Sequence, residues 1–167
     1  MERKSFRHLQ CPIARGLDRV GEWWSILILR DGSQGLTRFD EFRDSLEIAP
    51  NILTRRLGAL VEAGMLERRL YSERPPRHEY ILTERGRDLR PVLLALMAWG
   101  NRQFAPEGAS VQLVDTRTGL AADPILVDRA TLRPLPGEDF TLVPGPAADA
   151  GTRDRMARRA GRQAAAS

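Results

Sequence analysis

Residues 48–64, I-A-P-N-I-L-T-R-R-L-G-A-L-V-E-A-G, are the stretch that decides the fold. Pro50 is placed to be the first residue of a helix, because its missing N–H would have no partner there. Gly64 can end the helix in the left-handed conformation that other residues avoid. Between them, four apolar residues fall on one stripe at helical spacing: Leu53, Leu57, Leu60 and Val61. The stretch therefore predicts an amphipathic helix whose leucines face a core.

The opposite face of this helix carries an amide, a hydroxyl and a guanidinium, on Asn51, Thr54 and Arg55, with the small Gly58 beside them. Such groups read base edges or bind phosphates in the major groove of DNA. The alternative is an ordinary solvated face, which charged helices commonly have. The helix taken alone favours the solvated face, so its neighbours have to decide between the two.

The segments on either side supply those neighbours. Pro12 begins a first helix that Gly21 ends, and the apolar run from Trp23 predicts a central core helix. The remaining predicted elements are a turn at 31–35, a short strand at 36–38, a helix at 39–46, a β-hairpin of residues 66–71 and 78–82 with a loop at 72–77, and a helix from Thr83 that Pro91 kinks or restarts. This order is typical of a winged helix-turn-helix, in which residues 50–64 would enter the major groove beside the hairpin loop.

Composition limits the class of protein. The 167 residues suit a compact domain with an appendage, and 42% hydrophobic residues are enough for a core. A single cysteine excludes an intramolecular disulfide and favours a reducing cytoplasm. No apolar run suits a signal peptide or a membrane span. Because only His8 and His78 are available and no glycine-rich phosphate loop occurs, we expect neither an enzyme nor a cofactor.

Charge divides the chain more clearly than its total of +4 does. Residues 1–110 hold 18 basic and 15 acidic side chains, residues 111–150 hold three arginines and six acids, and residues 151–167 hold five arginines and one aspartate. We predict an α+β chain of four parts: a basic N-terminal tail (1–10), a winged helix-turn-helix domain for DNA binding and dimerisation (11–104), a small β-rich appendage of three or four strands (105–150) and a flexible basic tail (151–167) that is mobile or transiently helical. No cysteine or histidine follows residue 78, so we expect no four-coordinate zinc site in the appendage.

The chain resembles the HxlR-type bacterial transcriptional regulators, which lie beside the MarR-like winged-helix group. The resemblance is carried by C-P-I-A-R-G-L-D-R-V-G-E-W-W-S-I-L-I-L-R, T-R-F-D-E-F, residues 48–68, and P-P-R-H-E-Y-I-L-T-E-R-G-R-D-L, and it covers about half the chain. It implies a homodimer that binds a pseudo-palindromic operator as a repressor or activator, with dimerisation through the first and last helices of the domain. A winged-helix module that binds protein instead would present an acidic or apolar face where the polar face of residues 50–64 stands.

The resemblance also assigns residues to roles. The DNA-binding positions that it implies are Arg38, Pro50, Asn51, Thr54, Arg55, Arg56, Arg74 and Arg77. Arg38 is suited to a phosphate, and the two arginines of the hairpin loop to a phosphate or the adjacent minor groove. Arg56 projects closer to the apolar side of its helix, which leaves a phosphate contact and an internal pair with a carboxylate as alternatives. The dimerisation positions are Ile13, Leu17, Leu93, Leu96 and Trp99.

Three positions qualify the resemblance. Ala49 stands where relatives often have serine, so the helix of residues 50–64 lacks a side-chain N-cap, at a cost of about 1 kcal/mol. Trp23 stands where lysine is common, and of two adjacent tryptophans one must be partly exposed, either in dimer packing or as one wall of a pocket for a small-molecule effector. Cys11 precedes a helix N-terminus, which favours its thiolate. Some members sense quinones, aldehydes or oxidants through a cysteine at this place, and in others the residue has no known redox role. Because this chain has one cysteine, only alkylation, a mixed disulfide or an intersubunit Cys11–Cys11 bridge would be available to it.

Overall fold

The computed structural model describes residues 11–135 and 139–164. The predicted N-terminal tail of residues 1–10 lies outside this part of the chain. The elements in chain order are α1 (Pro12–Val20), α2 (Trp23–Ser33), α3 (Phe39–Leu46), α4 (Pro50–Glu62), β1 (Leu66–Glu73), β2 (Pro76–Leu82), α5 (Glu84–Arg87), α6 (Arg90–Phe104) and α7 (Ala150–Ala164). Helices α2 to α4 with the β1–β2 hairpin form a winged helix-turn-helix, so the fold predicted for the first two thirds of the chain is confirmed.

Helix α4 has the form that its sequence predicts. Pro50 occupies its first turn, Ala49 at the N-cap makes no side-chain capping bond, and Gly64 follows its end with φ of 69°. Leu53, Leu57 and Leu60 are fully buried. They pack in the core formed by α2, α3 and the start of β1, so the polar face of α4 points away from the domain.

The C-terminal end of α4 is fixed by α5. The Thr83 hydroxyl caps α5 by accepting a bond from the Gly86 N–H at 3.1 Å and donates to the Gly64 carbonyl oxygen at 2.6 Å. The Arg85 guanidinium donates to the Ala63 carbonyl oxygen at 3.0 Å. Carbonyl groups at a helix end have no partner within the helix, so these bonds satisfy groups that would otherwise be unpaired. Gly86 is buried against the backbone of Met65, where a Cβ atom would overlap the carbonyl oxygen.

The hairpin turn is tighter than predicted. The strands pair antiparallel from Leu66 opposite Leu82 to Glu73 opposite Pro76, with an irregularity near Tyr71. The predicted loop at 72–77 is therefore largely strand, and Arg77 belongs to β2 rather than to the loop. The predicted short strand at 36–38 is an isolated bridge, in which Arg38 lies opposite Glu79.

One helix boundary differs from its prediction, and the alternatives left open at Pro91 are decided. Helix α2 continues to Ser33 through the predicted turn, and the buried Asp31 accepts a hydrogen bond from the Ser45 hydroxyl at 2.8 Å. A buried carboxylate needs such partners, and this bond joins α2 to α3. Pro91 marks a fresh start rather than a kink, because α5 ends at Arg87 and α6 begins at Arg90.

The C-terminal part departs most from the prediction. Within the described residues of 105–149 there is no regular strand, and two isolated bridges, Val114 with Ala121 and Val127 with Pro134, stand in place of the three or four strands that we predicted. The short apolar runs of this part are separated by prolines and glycines, which prevent longer ladders. Residues 150–164, predicted to lie largely in a mobile or transiently helical tail, form helix α7. No helix in the described part of the chain is long and apolar enough to cross a membrane.

Candidate nucleic-acid interface

The outward face of α4 presents three polar side chains to solvent. Asn51, Thr54 and Arg55 are all exposed. The Thr54 hydroxyl donates to the Pro50 carbonyl oxygen at 2.8 Å, and the Asn51 side-chain oxygen accepts from the Ile52 N–H at 2.9 Å. The Thr54 oxygen can therefore still accept hydrogen bonds from a ligand. The Asn51 NH₂ group has no partner among the described residues and can donate. This face can offer an acceptor, an amide donor and a guanidinium to a ligand.

Arg38 lies at the N-terminal end of α3 and is held by the hairpin. Its guanidinium carbon lies 4.9 Å from the centre of the Tyr71 ring, a cation–π contact that keeps the charge in place without neutralising it. The Glu41 carboxylate accepts bonds from the Thr37 and Arg38 N–H groups at 2.9 and 2.8 Å. These backbone hydrogen bonds lower the pKa of Glu41, and they fix the start of α3 beneath the Arg38 side chain.

The hairpin arginines fall into two groups. Arg69 forms an ion pair with Glu79 at 2.6 Å, and Arg68 lies 3.0 Å from the His78 ring nitrogen. Arg74, in the turn, and Arg77, at the start of β2, are exposed and pair with no carboxylate among residues 11–135 and 139–164. Arg74 and Arg77 differ from the other two hairpin arginines in making no side-chain contact with a charged or titratable group of the described residues, and they are the two that the sequence assigned to DNA.

The two adjacent arginines of α4 also differ in whether they pair with a carboxylate. Arg55 is exposed and has no carboxylate partner within the described ranges, whereas Arg56 forms an ion pair with Glu22 at 2.8 Å between its Nη2 atom and Oε2. The Arg56 side chain is 14% exposed, and its Nε atom is buried without a partner in the same part of the chain. Of the two alternatives for Arg56, the internal pair with a carboxylate is the one present in this structure.

Apolar side chains are also exposed on α1 and on α6. Ile13, Leu17, Leu96 and Trp99 are exposed, and Leu93 is half-buried. Val92 and Phe104 are further exposed apolar residues of α6, and the Trp99 and Phe104 rings meet edge to face with centroids 5.0 Å apart. Val92, Leu96 and Trp99 follow one another at spacings of four and three residues, so they lie on one face of α6.

The positions that the sequence linked to an effector are accessible. Trp23 is 75% exposed while Trp24 packs against the core, so the prediction that one of the pair is exposed is confirmed. Cys11 is a half-buried free thiol at the N-cap of α1. The structure has a cleft of about 380 Å³ between α3 and the hairpin and another of about 170 Å³ between α6 and residues 109–124. Trp23 lines neither of them, and its role in an effector pocket stays a prediction.

Three residues of this site were not found by sequence reasoning. Glu41 follows Arg38 by three positions, and this spacing of a helix capping box could have indicated it. Tyr71 and Glu22 reach Arg38 and Arg56 only through the tertiary fold, and no local pattern in the sequence announces them. Within the described residues, no group of three or more potential ligands could hold a metal ion.

Comparison with known proteins decides the family. The sequence profile of the HxlR-like helix-turn-helix family matches residues 19–108, which is more than half of the chain. The chain belongs to the HxlR-like helix-turn-helix family. This HxlR-like protein is also 40% identical over 135 residues to the HTH-type transcriptional regulator Rv3095 of Mycobacterium tuberculosis, a match that covers 80% of this chain and 85% of that one. The resemblance noted from the sequence is confirmed, and the protein is a transcriptional regulator with a DNA-binding helix-turn-helix.

Solved structures extend the likeness of this HxlR-like protein beyond the family match. PA1374, a candidate transcription factor from Pseudomonas aeruginosa, is 57% identical with a TM-score of 0.64, over 87% of this chain and 99% of that one. HypR, which is named a redox regulator, is 36% identical in its oxidized form with a TM-score of 0.52, over 56% of this chain and 97% of that one. The similarity to PA1374 therefore reaches into the C-terminal part that lies outside residues 19–108.

Proposed function

We propose that this protein acts in the cytoplasm as a homodimer that binds a pseudo-palindromic operator through α4 and the β1–β2 hairpin. The observation that carries the proposal is the sorting of the arginines. Arg38, Arg55, Arg74 and Arg77 remain without a carboxylate partner in the described residues, while Arg56 and Arg69 are internally paired. A phosphate can displace the water around an unpaired guanidinium but must compete for a paired one.

Each part of this surface has its own role in the proposal. Asn51, Thr54 and Arg55 read base edges in the major groove, where bidentate guanidinium and amide contacts discriminate between bases. Arg38 and the hairpin arginines contact phosphates or the adjacent minor groove, and they set the register of α4. Pro50 begins the recognition helix beside these contacts.

The exposed apolar side chains of α1 and α6 support the homodimer. Leu96, Trp99 and Phe104 of α6 are all exposed, and a partner subunit that covered them would remove apolar area from water. A two-fold dimer would cover the same surface on both copies and would place two α4 helices on one side. Exposed Trp23 would then lie either in this interface or beside it.

Fluorescence anisotropy on the DNA upstream of the protein's own gene tests operator binding. We expect Arg55→Ala to weaken operator binding by about 1–3 kcal/mol, or about 5- to 150-fold, and to reduce the preference over random DNA. Arg77→Ala should weaken operator and random DNA alike and lower the salt dependence by about one unit per protomer. The exposed Arg129 of the appendage supplies the matched control, Arg129→Ala, which should bind as the parent does. Equal behaviour of all three variants would exclude this binding surface.

Sedimentation velocity tests the dimer. Leu96→Glu should convert the dimer to a monomer at micromolar concentration, because it places a charge in the apolar surface of α6. Leu142, which is 84% exposed in the C-terminal part, gives the control Leu142→Glu, and this variant should stay dimeric. A parent protein that sediments as a monomer would rule out the homodimer.

A second candidate function is thiol-based sensing at Cys11, favoured by the free thiol at the N-cap of α1 and by the likeness to HypR. Two Cys11 thiols from two protomers would give up two electrons and two protons to a quinone and form one disulfide, or a single thiolate would be alkylated. We expect a quinone to release the parent protein from DNA and to leave Cys11→Ser bound. Release of both proteins to the same extent would make Cys11 structural.

A further inference from the structure

Helix α7 carries four arginines on one face. Arg155, Arg158, Arg159 and Arg162 stand at positions i, i+3, i+4 and i+7, which at 100° per residue confines them to an arc of about 100°. Their Cα atoms span about 10 Å along the axis. All four residues are exposed, and the remaining basic residue of the helix, Arg153, lies about 120° or more around the helix axis from each of them. We call these four residues the α7 arginine stripe.

Carboxylates of the described residues neutralise the stripe poorly. Arg155 bonds the Thr152 hydroxyl and lies near Asp149. Arg158, Arg159 and Arg162 have no carboxylate partner in the part of the chain that the structure describes. The stripe contains four like-charged pairs at i, i+3 or i, i+4, and each such pair opposes the helix. Among the described side chains of α7 only Thr152 and Met156 are not fully exposed, so the core contributes little to holding the helix.

A row of phosphates would satisfy this arrangement. Guanidinium groups spaced along 10 Å can each meet a phosphate of a DNA strand, and a polyanion removes the repulsion that opposes the helix. We propose that the α7 arginine stripe is a second, sequence-independent DNA-binding surface that contacts the phosphate backbone of duplex DNA. It extends the proposed function without depending on which bases α4 reads, since no base contact is required of it.

The test measures binding of the full chain to a random-sequence duplex at several salt concentrations. Arg158→Gln with Arg162→Gln removes two charges from the stripe, and Arg129→Gln with Arg153→Gln removes two exposed charges elsewhere. We expect the stripe pair to lower the slope of log affinity against log salt by about two per protomer and to weaken binding at 0.1 M salt by roughly tenfold or more. The control pair should change the slope by much less, because a change of net charge alone is screened. Circular dichroism should show a gain of helix on DNA binding in the parent and a smaller gain in the stripe pair.

Equal behaviour of the two double variants would overturn the proposal. The competing partner is the acidic segment 111–150 of a second copy, which holds six acids and three arginines. If the stripe pair weakens self-association and leaves random-DNA binding unchanged, the stripe contacts protein and the proposal is wrong. Failure of the operator proposal is distinguishable, because Arg55→Ala would then leave the preference between operator and random DNA unchanged while the stripe pair still lowered the random-DNA slope.

Discussion

The ion pair of Glu22 and Arg56 gives the sharpest prediction about the recognition helix. It joins the residue that precedes α2 to the middle of α4, with a distance of 2.8 Å between charged atoms. At an effective dielectric constant of 20 the attraction between the two charges is about 6 kcal/mol. The cost of removing the Arg56 charge from water offsets most of this attraction. A measured coupling should lie between that of exposed pairs, about 0.2–1 kcal/mol, and that of charged hydrogen bonds, about 1.5–3 kcal/mol. We expect about 1–2 kcal/mol.

Replacing Glu22 and replacing Arg56 should lower the free energy of unfolding by different amounts. Arg56 is 14% exposed and Glu22 is 31% exposed, so removing the carboxylate leaves a largely buried charge, while removing the guanidinium leaves a carboxylate that water reaches. Glu22→Ala should therefore lower the free energy of unfolding by about 2–3 kcal/mol and Arg56→Met by about 1 kcal/mol. Urea denaturation of the parent, the two single variants and the double variant forms a double-mutant cycle, which gives the coupling energy of the ion pair.

Arg55, the exposed neighbour of Arg56, provides a control, because its replacement should affect DNA binding and not stability. Arg55→Met should leave stability within about 0.5 kcal/mol of the parent and weaken operator binding. Arg56→Met should lower stability and leave operator binding unchanged, including the slope of log affinity against log salt. A coupling energy below about 0.5 kcal/mol, or a fall in salt slope equal to that of Arg55→Met, would refute the assignment of Arg56 to an internal pair and return it to the phosphate contacts.

Three further variants probe the parts that hold the site. Leu57→Ala should lower the free energy of unfolding by about 2–5 kcal/mol in urea, because Leu57 is fully buried beneath the polar face of α4. Gly86→Ala should cost about 1–3 kcal/mol by the same measurement, since a Cβ atom there meets the Met65 carbonyl oxygen, and an unchanged unfolding midpoint would contradict the close packing of α5. Glu41→Gln should cost only about 0.5 kcal/mol at neutral pH because the carboxylate is exposed. Because the pKa of Glu41 is lowered in the folded protein, the stability lost in the variant should be fully present above the ordinary pKa of 4.5 and should shrink as the pH falls below it. A loss of stability that is independent of pH between 3 and 7 would show that the backbone hydrogen bonds do not depend on the carboxylate charge.

Much of the winged domain was predictable because local patterns and tertiary contacts agree there. The leucine stripe, Pro50 and Gly64 all specify the same helix, and Thr83 caps the next one as its position suggests. The end of α2 was predicted wrongly because Asp31 and Gly32 form a common turn signal. The Ser45 bond to the buried Asp31 favours the helix instead, and this bond forms only when α3 packs on α2.

The C-terminal part was predicted less well for a physical reason. Apolar pairs and triplets between prolines can serve as short strands or as isolated turns, and only a sheet partner decides between them. The bridges at Val114 and Val127 have no third strand beside them in the described residues, so the pattern alone overstated the sheet. For α7 the sequence left a mobile tail and a transient helix open, because alanine-rich segments of this length with several arginines are marginal helices.

The packing of α5 links the two surfaces of the proposed function. Side chains of Thr83 and Arg85 donate to carbonyl oxygens of the residues that directly follow α4, and Gly86 packs against the backbone of Met65. Helix α6 begins three residues beyond the end of α5. So short a connection leaves little freedom between the end of the recognition helix and the start of the helix that carries Leu96 and Trp99. The orientation of α6 in a dimer would therefore set the separation of the two α4 helices, and with it the spacing of the half-sites that the dimer can bind.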